Sequence, residues 1–360
     1  ELGSKVDRHE SIGKGFVGSA VEASYKEAEE KAESTKLLKY GDKNFNNREK
    51  CKATCIEKYG VKSNLVIEDN SPKRISKAEK EIASFIRTIY AGEVIENSRK
   101  ILSDGRELDI YIPGKNLAIE YDGIYWHNDV DNSFKYDECK EKKIRLIQIV
   151  ENEWKYDNEK IKNYLRFIFG KYGEKIGARK CYVKEIGDAI YRDFCDENHI
   201  QNSCGAKIKL GLFYGDELVQ IMSFGKPRFN KKYEYEMIRE CSKADYDIIG
   251  GKSKLLKYFI RKYNPKSIIS YCEKNKFTGK SYIDLGFSLI RETAPDYKYY
   301  LSSERWSKPH SRIEFQKHKL ADKLKDFDSS LTEKKNMFNN KNYAIYDYGN
   351  FVFSLILSYA

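Results

Sequence analysis

Apolar residues along this chain recur with two periods, and the alternation between them outlines the elements. Ser76-Lys-Ala-Glu79 is a helix-start signal, and Ile82, Phe85, Ile86 and Ile89 behind it share one helical face. Leu108 to Ile112 and Leu117 to Tyr121 read as strands around a Pro113-Gly114 turn, Ile144 to Val150 as a further strand, and residues 157–169 as a closing helix. Later, Ala206 to Tyr214, Leu218 to Phe224, Ser267 to Tyr271 and Tyr343 to Asp347 predict strands. Lys252 to Tyr263 predicts a helix with Leu255, Leu256, Phe259 and Ile260 on one face. Near the start, residues 19–38 are rich in Ala, Glu and Lys and predict a helix by propensity. The most apolar stretch, Phe351 to Leu357, is only strand-length, so a membrane span of roughly 18 residues is not expected.

Composition narrows the class. The 360 residues are 40% hydrophobic and 14% aromatic, with 6 Pro and 23 Gly, which excludes collagen-like and wholly disordered chains and implies more than one domain. Eight scattered cysteines are too few for a disulfide scaffold, and no charged-then-apolar segment opens the sequence, so a cytoplasmic location (bacterial or phage-infected host cell) is expected. Neither Cys51 with Cys55 nor Cys195, His199 and Cys204 has the paired spacing of a zinc site. Charge is uneven. Residues 176–360 hold 33 basic and 23 acidic groups, almost the whole excess of the chain, whose net charge is +11. That balance suits a polyanion, and double-stranded DNA is the partner expected, with no membrane partner.

Gly13-Lys-Gly15-Phe-Val-Gly18 matches a dinucleotide fingerprint formally, but no strand precedes it and a charged helix follows, so cofactor binding there is not expected. The chain divides into a helical N-terminal arm (1–38), a small module (39–70), a middle domain (71–175) and a basic C-terminal domain (178–360). The Tyr40-Gly41 and Tyr59-Gly60 pairs of the module resemble small DNA-binding modules that accompany phage and mobile-element nucleases.

Candidate chemistry lies in the middle domain. A hairpin sets Asp109 beside Glu120, and Asp122 shares the face of Glu120. Paired carboxylates repel, and a divalent cation such as Mg²⁺ (or Mn²⁺) on Asp109, Glu120 and Asp122 relieves that repulsion while leaving sites for water and phosphate. His127 supplies a proton-transfer group, and Glu79 on the preceding helix can join the shell or orient a water.

The run Ser76, Glu79, Asp109, Glu120, Asp122, His127, Lys135, Cys139, Leu146, Ile147, Glu151, Glu153 and Trp154 resembles the PD-(D/E)XK nuclease superfamily. The branch is the one similar to the very short patch repair endonuclease and the EDxHD phage homing endonucleases. The resemblance covers about residues 76–170 and implies a mixed sheet flanked by helices, Mg²⁺-dependent cleavage of DNA, and a catalytic set of Glu79, Asp109, Glu120, Asp122, His127 and Lys135.

In the C-terminal domain a hairpin precedes Ile249-Gly250-Gly251-Lys252-Ser253, whose glycines open the helix from Lys252, and Asn275, Tyr282 and Leu285-Gly286-Phe287 follow. Backbone amides at such a start favour an anion. This pattern resembles the N-acetyltransferase (GNAT) fold and the Mom-type DNA modification proteins of phages. Asp247 and Ile248 stand where that fold usually carries Gln or Arg, which argues against acetyl-CoA. The stretch 298–325 interleaves aromatics with cations. Lys252, Lys254, Arg305, Trp306, Lys308, Arg312, Lys317 and Lys319 are the candidate DNA contacts.

The expectation is an α/β multidomain protein, a PD-(D/E)XK mixed-sheet nuclease core plus a GNAT-like α+β C-terminal domain. It acts as a Mg²⁺-dependent, sequence-specific DNA endonuclease, a hydrolase of phosphodiester bonds used in homing by a phage or mobile element. The alternatives are a Mom- or GNAT-like DNA-modifying transferase with an accessory nuclease domain, and a DNA-binding protein without catalysis.

Overall fold

The computed structural model describes residues 31, 33–41, 50, 53–54, 76–171 and 173–358. The chain forms two compact units, Glu1–Glu68 and Asp69–Ala360. In the first, residues 33–40 are helical. The glycine fingerprint, Cys51, Cys55 and most of the expected 39–70 module lie outside the described residues.

The second unit opens with α1 (Lys77–Ile89). Ser76 caps it: its hydroxyl accepts from the Glu79 amide at 3.1 Å while the Glu79 carboxylate accepts from the Ser76 amide at 3.4 Å. Its apolar face, Ile82, Ala83 and Ile86, is buried. Then come β1 (Ile95–Ser98), β2 (Leu108–Ile112), β3 (Leu117–Asp122), α2 (Ser133–Glu141), β4 (Arg145–Val150), α3 (Glu151–Tyr156) and α4 (Asn158–Ile168). They make a four-stranded sheet in the order β1-β2-β3-β4, antiparallel except for the parallel pair β3/β4, which α2 connects. Period-2 alternation sorts β3: Leu117 and Ile119 join the core under α1 and α4, while Ala118, Glu120 and Asp122 take the other face.

The remaining elements are β5 (Glu174–Gly177), β6 (Tyr182–Glu185), α5 (Asp188–Asn198), β7 (Ile208–Tyr214), β8 (Glu217–Gly225), β9 (Tyr235–Ser242), β10 (Tyr246–Ile249), α6 (Gly251–Tyr263), β11 (Ser267–Glu273), α7 (Lys280–Asp284), β12 (Ser288–Glu292), β13 (Tyr297–Tyr300), β14 (Pro309–Ser311), α8 (Glu333–Asn339), β15 (Tyr343–Tyr346) and β16 (Asn350–Ile356). Seven of these strands form one sheet, β12-β16-β11-β9-β8-β7-β6. On one face α6 buries Leu255, Leu256 and Phe259, with the Phe259 ring stacked 3.5 Å from Phe224. On the other, α5 buries Tyr191, Phe194 and Cys195 against Ile221. Strands β5 and β10 make a parallel pair, and β14-β13-β15 a three-stranded sheet. The protein is thus mixed α/β. The stretch 298–325 is built of short strands and 3-10 turns, and Tyr299 and Tyr300 in it are core residues rather than exposed stacking surfaces. No described helix is long and apolar enough to cross a membrane.

Candidate functional site

Two clusters gather chemistry-bearing groups. The first lies at the β2/β3 hairpin. The Asp109 amide donates to Glu120 Oε1 at 3.3 Å and the Tyr121 amide to Asp109 Oδ2 at 2.7 Å, so the expected carboxylates do meet. Glu79 is near enough for its charge to raise Asp109 further. Lys135, on α2, donates from Nζ to Glu120 Oε2 and to the Glu107 carbonyl (2.8 Å). Gln148, beside Glu120 in register on β4, donates to Asp122 Oδ2 at 2.5 Å. His127 Nε2 stands 3.7 Å from Asp122 Oδ1, and its Nδ1 is 3.2 Å from the Gly123 carbonyl. Burial pushes Glu120 up to about 7, against the pull of Lys135. Burial and then the Glu120 charge hold Asp109 well above the usual carboxylate range. Burial alone would lower the Lys135 ammonium, and Glu120 more than reverses this. Tyr348 is buried against the cluster: burial raises its phenol, and the Asp122 and Glu120 charges add to that.

This geometry corrects the metal reading. Glu120 and Asp122 are only 2% and 3% exposed. Glu120 is held by an ammonium and Asp122 by an amide rather than both being open to a cation and a phosphate. Among the described residues no group of three or more His, Cys, Asp or Glu is arranged to hold a metal ion. Sequence spacing places the two carboxylates together, but the lysine that holds one of them arrives from a separate helix.

The second cluster lies where one ladder of the seven-stranded sheet breaks off. Strands β9 and β11 run parallel yet pair only at Ile268 with Tyr235 and Ile269 with Glu236. Beyond these residues the ladder ends, and side chains bridge the two strands instead. The buried Ser270 hydroxyl donates to the Met237 carbonyl at 2.9 Å and lies 3.1 Å from the Tyr282 hydroxyl. The Tyr282 ring is fixed by stacking on Phe353, 4.8 Å between centroids. Burial raises its phenol, so the hydroxyl keeps its proton through neutral pH. Further along β9, Arg239 donates to the Asn202 carbonyl at 2.9 Å, and His199 Nδ1 accepts from the Gln201 amide at 3.0 Å. That bond leaves the neutral imidazole's proton on Nε2. Burial, then the Arg239 charge, lowers His199 to about 3.

The α6 start stands at the same end. Gly250 has φ +79°, a left-handed backbone that glycine adopts freely. A Cβ at Gly251 would collide with the Gln220 amide oxygen, an otherwise unpartnered buried atom. Asp247 and Ile248 are not part of this turn: they lie in β10, in register with Lys175 and Ile176 of β5. Ser270 was not singled out by the sequence reading, and Tyr282 was visible there only within the Leu-Gly-Phe segment.

The expected DNA contacts divide. Lys252 pairs with Glu240 at 2.6 Å, Lys254 is held by the Ala178 carbonyl (2.8 Å) and that of Cys181, and Lys319 by the Ile313 carbonyl at 2.7 Å. Lys308 pairs with Glu304 at 3.1 Å, and Arg312 lies over the Tyr297 ring at 4.9 Å. Lys317 stands in a 3-10 turn. Arg305 is exposed, next to a part-buried Trp306.

No family model and no curated protein matches the sequence. Solved structures do. One is a protein from Bacillus anthracis assigned as a streptothricin acetyltransferase, in complex with acetyl coenzyme A (TM-score 0.24, 11% identity, 44% of this chain and 66% of that one). Another is a Bacillus subtilis acetyltransferase in complex with CoA (0.26, 14%, 50% and 99%). A third is a GNAT family acetyltransferase from Elizabethkingia anophelis with acetyl-CoA bound (0.28, 12%, 49% and 99%). These are transferases, not hydrolases of DNA, and the likeness to a PD-(D/E)XK nuclease finds no support in them. No family model supports the expected endonuclease or its homing role, and carboxylates held by Lys135 and Gln148 do not support its Mg²⁺ or Mn²⁺ cofactor, so these expectations are corrected. The expectation against acetyl-CoA is corrected too, because Asp247 and Ile248, on which it rested, pair within β10 and stand outside the glycine turn.

Proposed function

We propose that the seven-stranded half of the molecule is a GNAT-like acyltransferase that takes an acyl-CoA thioester and an amine acceptor. The observation that carries this is the β9/β11 pair, whose ladder ends after two residue pairs, with the Ser270 and Tyr282 hydroxyls beside the break and a glycine-started helix at the same end. Strand edges that lose their ladder need other partners for their amides and carbonyls, and an extended amide-bearing arm can supply them. Crevices at the C-terminal ends of parallel strands are the usual ligand sites of such sheets. The strand order β6-β7-β8-β9-β11-β16-β12, with α6 crossing between β9 and β11, suits that scaffold.

Bound there, an acyl-CoA would supply an activated acyl group. The amide groups at the α6 start favour its anionic end. Tyr282, kept protonated by burial and oriented by Ser270, is the proton donor for a leaving thiolate. His199, neutral with its proton on Nε2, is a hydrogen-bond donor rather than a base. The +10 charge of residues 176–360 supports double-stranded DNA or another nucleic acid as carrier of the acceptor amine.

The test is thiol release from acetyl-CoA by the full chain, with DNA, polyamine and peptide-lysine acceptors compared. We predict saturable release that Tyr282→Phe slows by about 10² to 10⁴ with little loss of melting temperature. Absence of both release and calorimetric CoA binding would overturn the reading.

A further inference from the structure

The turn after β3 presents Tyr125 and Trp126 to solvent, Trp126 at 82% exposure, an unusual position for the largest apolar side chain. The two rings begin a connected aromatic cluster. Trp126 packs edge-on against Tyr125 (5.1 Å between centroids), and Tyr125 against Tyr343 (5.5 Å). Tyr343 in turn touches Trp306 (5.5 Å) and Phe338 (5.9 Å). Tyr343 is buried and anchors the group, while Phe338 at its far side is exposed.

The cations around this cluster are unusual in the opposite sense. Among the described residues, Lys155, Arg305, Lys335 and Lys341 form no ion pair. Lys335 lies over the Phe338 ring at 5.3 Å and Lys155 over Tyr156 at 5.2 Å. Of the nearby acids, Asp129 is paired with Lys334, Glu304 with Lys308 and His310, and the Glu151 carboxylate accepts from the Ile124 amide at 2.9 Å. Arg305 and Trp306 are consecutive non-glycine residues at φ +54° and +56°. Such backbone is costly for a bulky side chain and is tolerated chiefly at functional positions. It is held by the Trp306 indole, which donates to the Lys341 carbonyl at 3.0 Å, and by the Tyr156 hydroxyl, which donates to the Arg305 carbonyl at 3.2 Å.

We infer that this surface is a platform for single-stranded nucleic acid, with unpaired bases stacking on Trp126 and Tyr125 and phosphates meeting Arg305, Lys335, Lys341 and Lys155. Exposed ring faces bind base faces, and free cations bind phosphates; together these are the two components of single-strand binding. Within a duplex the base faces are covered by their neighbours, so the ring faces select for unpaired bases. The inference stands apart from the acyltransferase reading, and its test uses no acyl donor.

Full-length protein is titrated into a fluorescein-labelled 20-nucleotide oligo(dT) and into a duplex of equal length, read by anisotropy. Trp126→Ala should weaken single-strand binding by about 5- to 150-fold, the loss of one stacked base, and change duplex binding by less than about twofold. Trp126→Phe should restore most of the affinity. Arg305→Gln should lower the salt slope by about 0.7. Because Trp126 is exposed, melting temperature should not move, which separates binding from folding. Unchanged affinity in Trp126→Ala, equal loss on duplex and single strand, or no binding of any oligonucleotide at low salt would each overturn the inference.

Discussion

At the scale of single residues, Glu120 gives a sharp prediction. Its folded pKa is about 7, against an ordinary value of about 4.3 in the unfolded chain. Between those values the folded state keeps a proton that the unfolded state releases. Unfolding is therefore favoured as pH rises through this window, and the effect levels off above about pH 7. Asp109, raised by burial, acts in the same direction. Melting temperature should fall as pH rises from about 5 to 7, and Glu120→Gln should flatten that slope. Parallel profiles for the two proteins would mean that Glu120 is ionised throughout. The spacing of Asp109, Glu120 and Asp122 was legible in the sequence because two strands joined by a short Pro113-Gly114 turn become cross-strand neighbours. The hold of Lys135 on Glu120 was not, because nothing in local sequence says which way a helical lysine turns.

At the scale of elements, α6 shows how a short motif works through its neighbours. Its glycines were legible, but the reason for Gly251 is the Gln220 side chain on β8 beneath it. Gly251→Ala should cost about 1–3 kcal/mol by overpacking, read as a lower urea midpoint, and should weaken CoA binding as well. Gly250→Ala should destabilise through its left-handed backbone alone. A fully wild-type midpoint in Gly251→Ala would show that the Gln220 side chain moves aside freely. Strand β9 escaped the sequence reading because Glu236 and Glu240 interrupt its apolar pattern. Glu236 is fully buried and satisfied by Arg228, whose guanidinium donates to it at 2.5 and 2.8 Å. A buried, paired charge looks like surface in a hydropathy pattern.

At the scale of the whole molecule, the four-stranded and seven-stranded sheets of the Asp69–Ala360 unit are joined by a buried polar seam. Lys276, 1% exposed, donates from Nζ to the Gln148 carbonyl and to Glu153 (2.7 Å). Its own carbonyl accepts from Arg145 at 2.6 Å and from the Tyr164 hydroxyl. Asn275 adds a reciprocal pair with Gln148, at 3.0 and 3.1 Å. Lys276→Met leaves Glu153 and the Gln148 carbonyl without this donor and should cost about 3–5 kcal/mol. Because the seam links both sheets, the variant should unfold in two calorimetric steps where the wild type unfolds in one. A single transition at unchanged temperature would show that the sheets couple by other means.

The sequence by itself determined the elements whose periodicity is uninterrupted, such as α1, the β2/β3 hairpin and the apolar face of α6. It also determined the concentration of positive charge in residues 176–360. These follow from local preference and composition, which need no partner. Tertiary structure alone decided what the chemistry-bearing residues do. It closed Asp109, Glu120 and Asp122 into a buried cluster under Lys135, Gln148 and Tyr348, and it ended the β9/β11 ladder beside Ser270 and Tyr282. It also gathered Trp126, Tyr343 and Trp306 from three distant segments into one surface. Each depends on contacts between residues far apart in the chain, where burial and pairing, rather than residue type, set whether a carboxylate is charged or a ring is free.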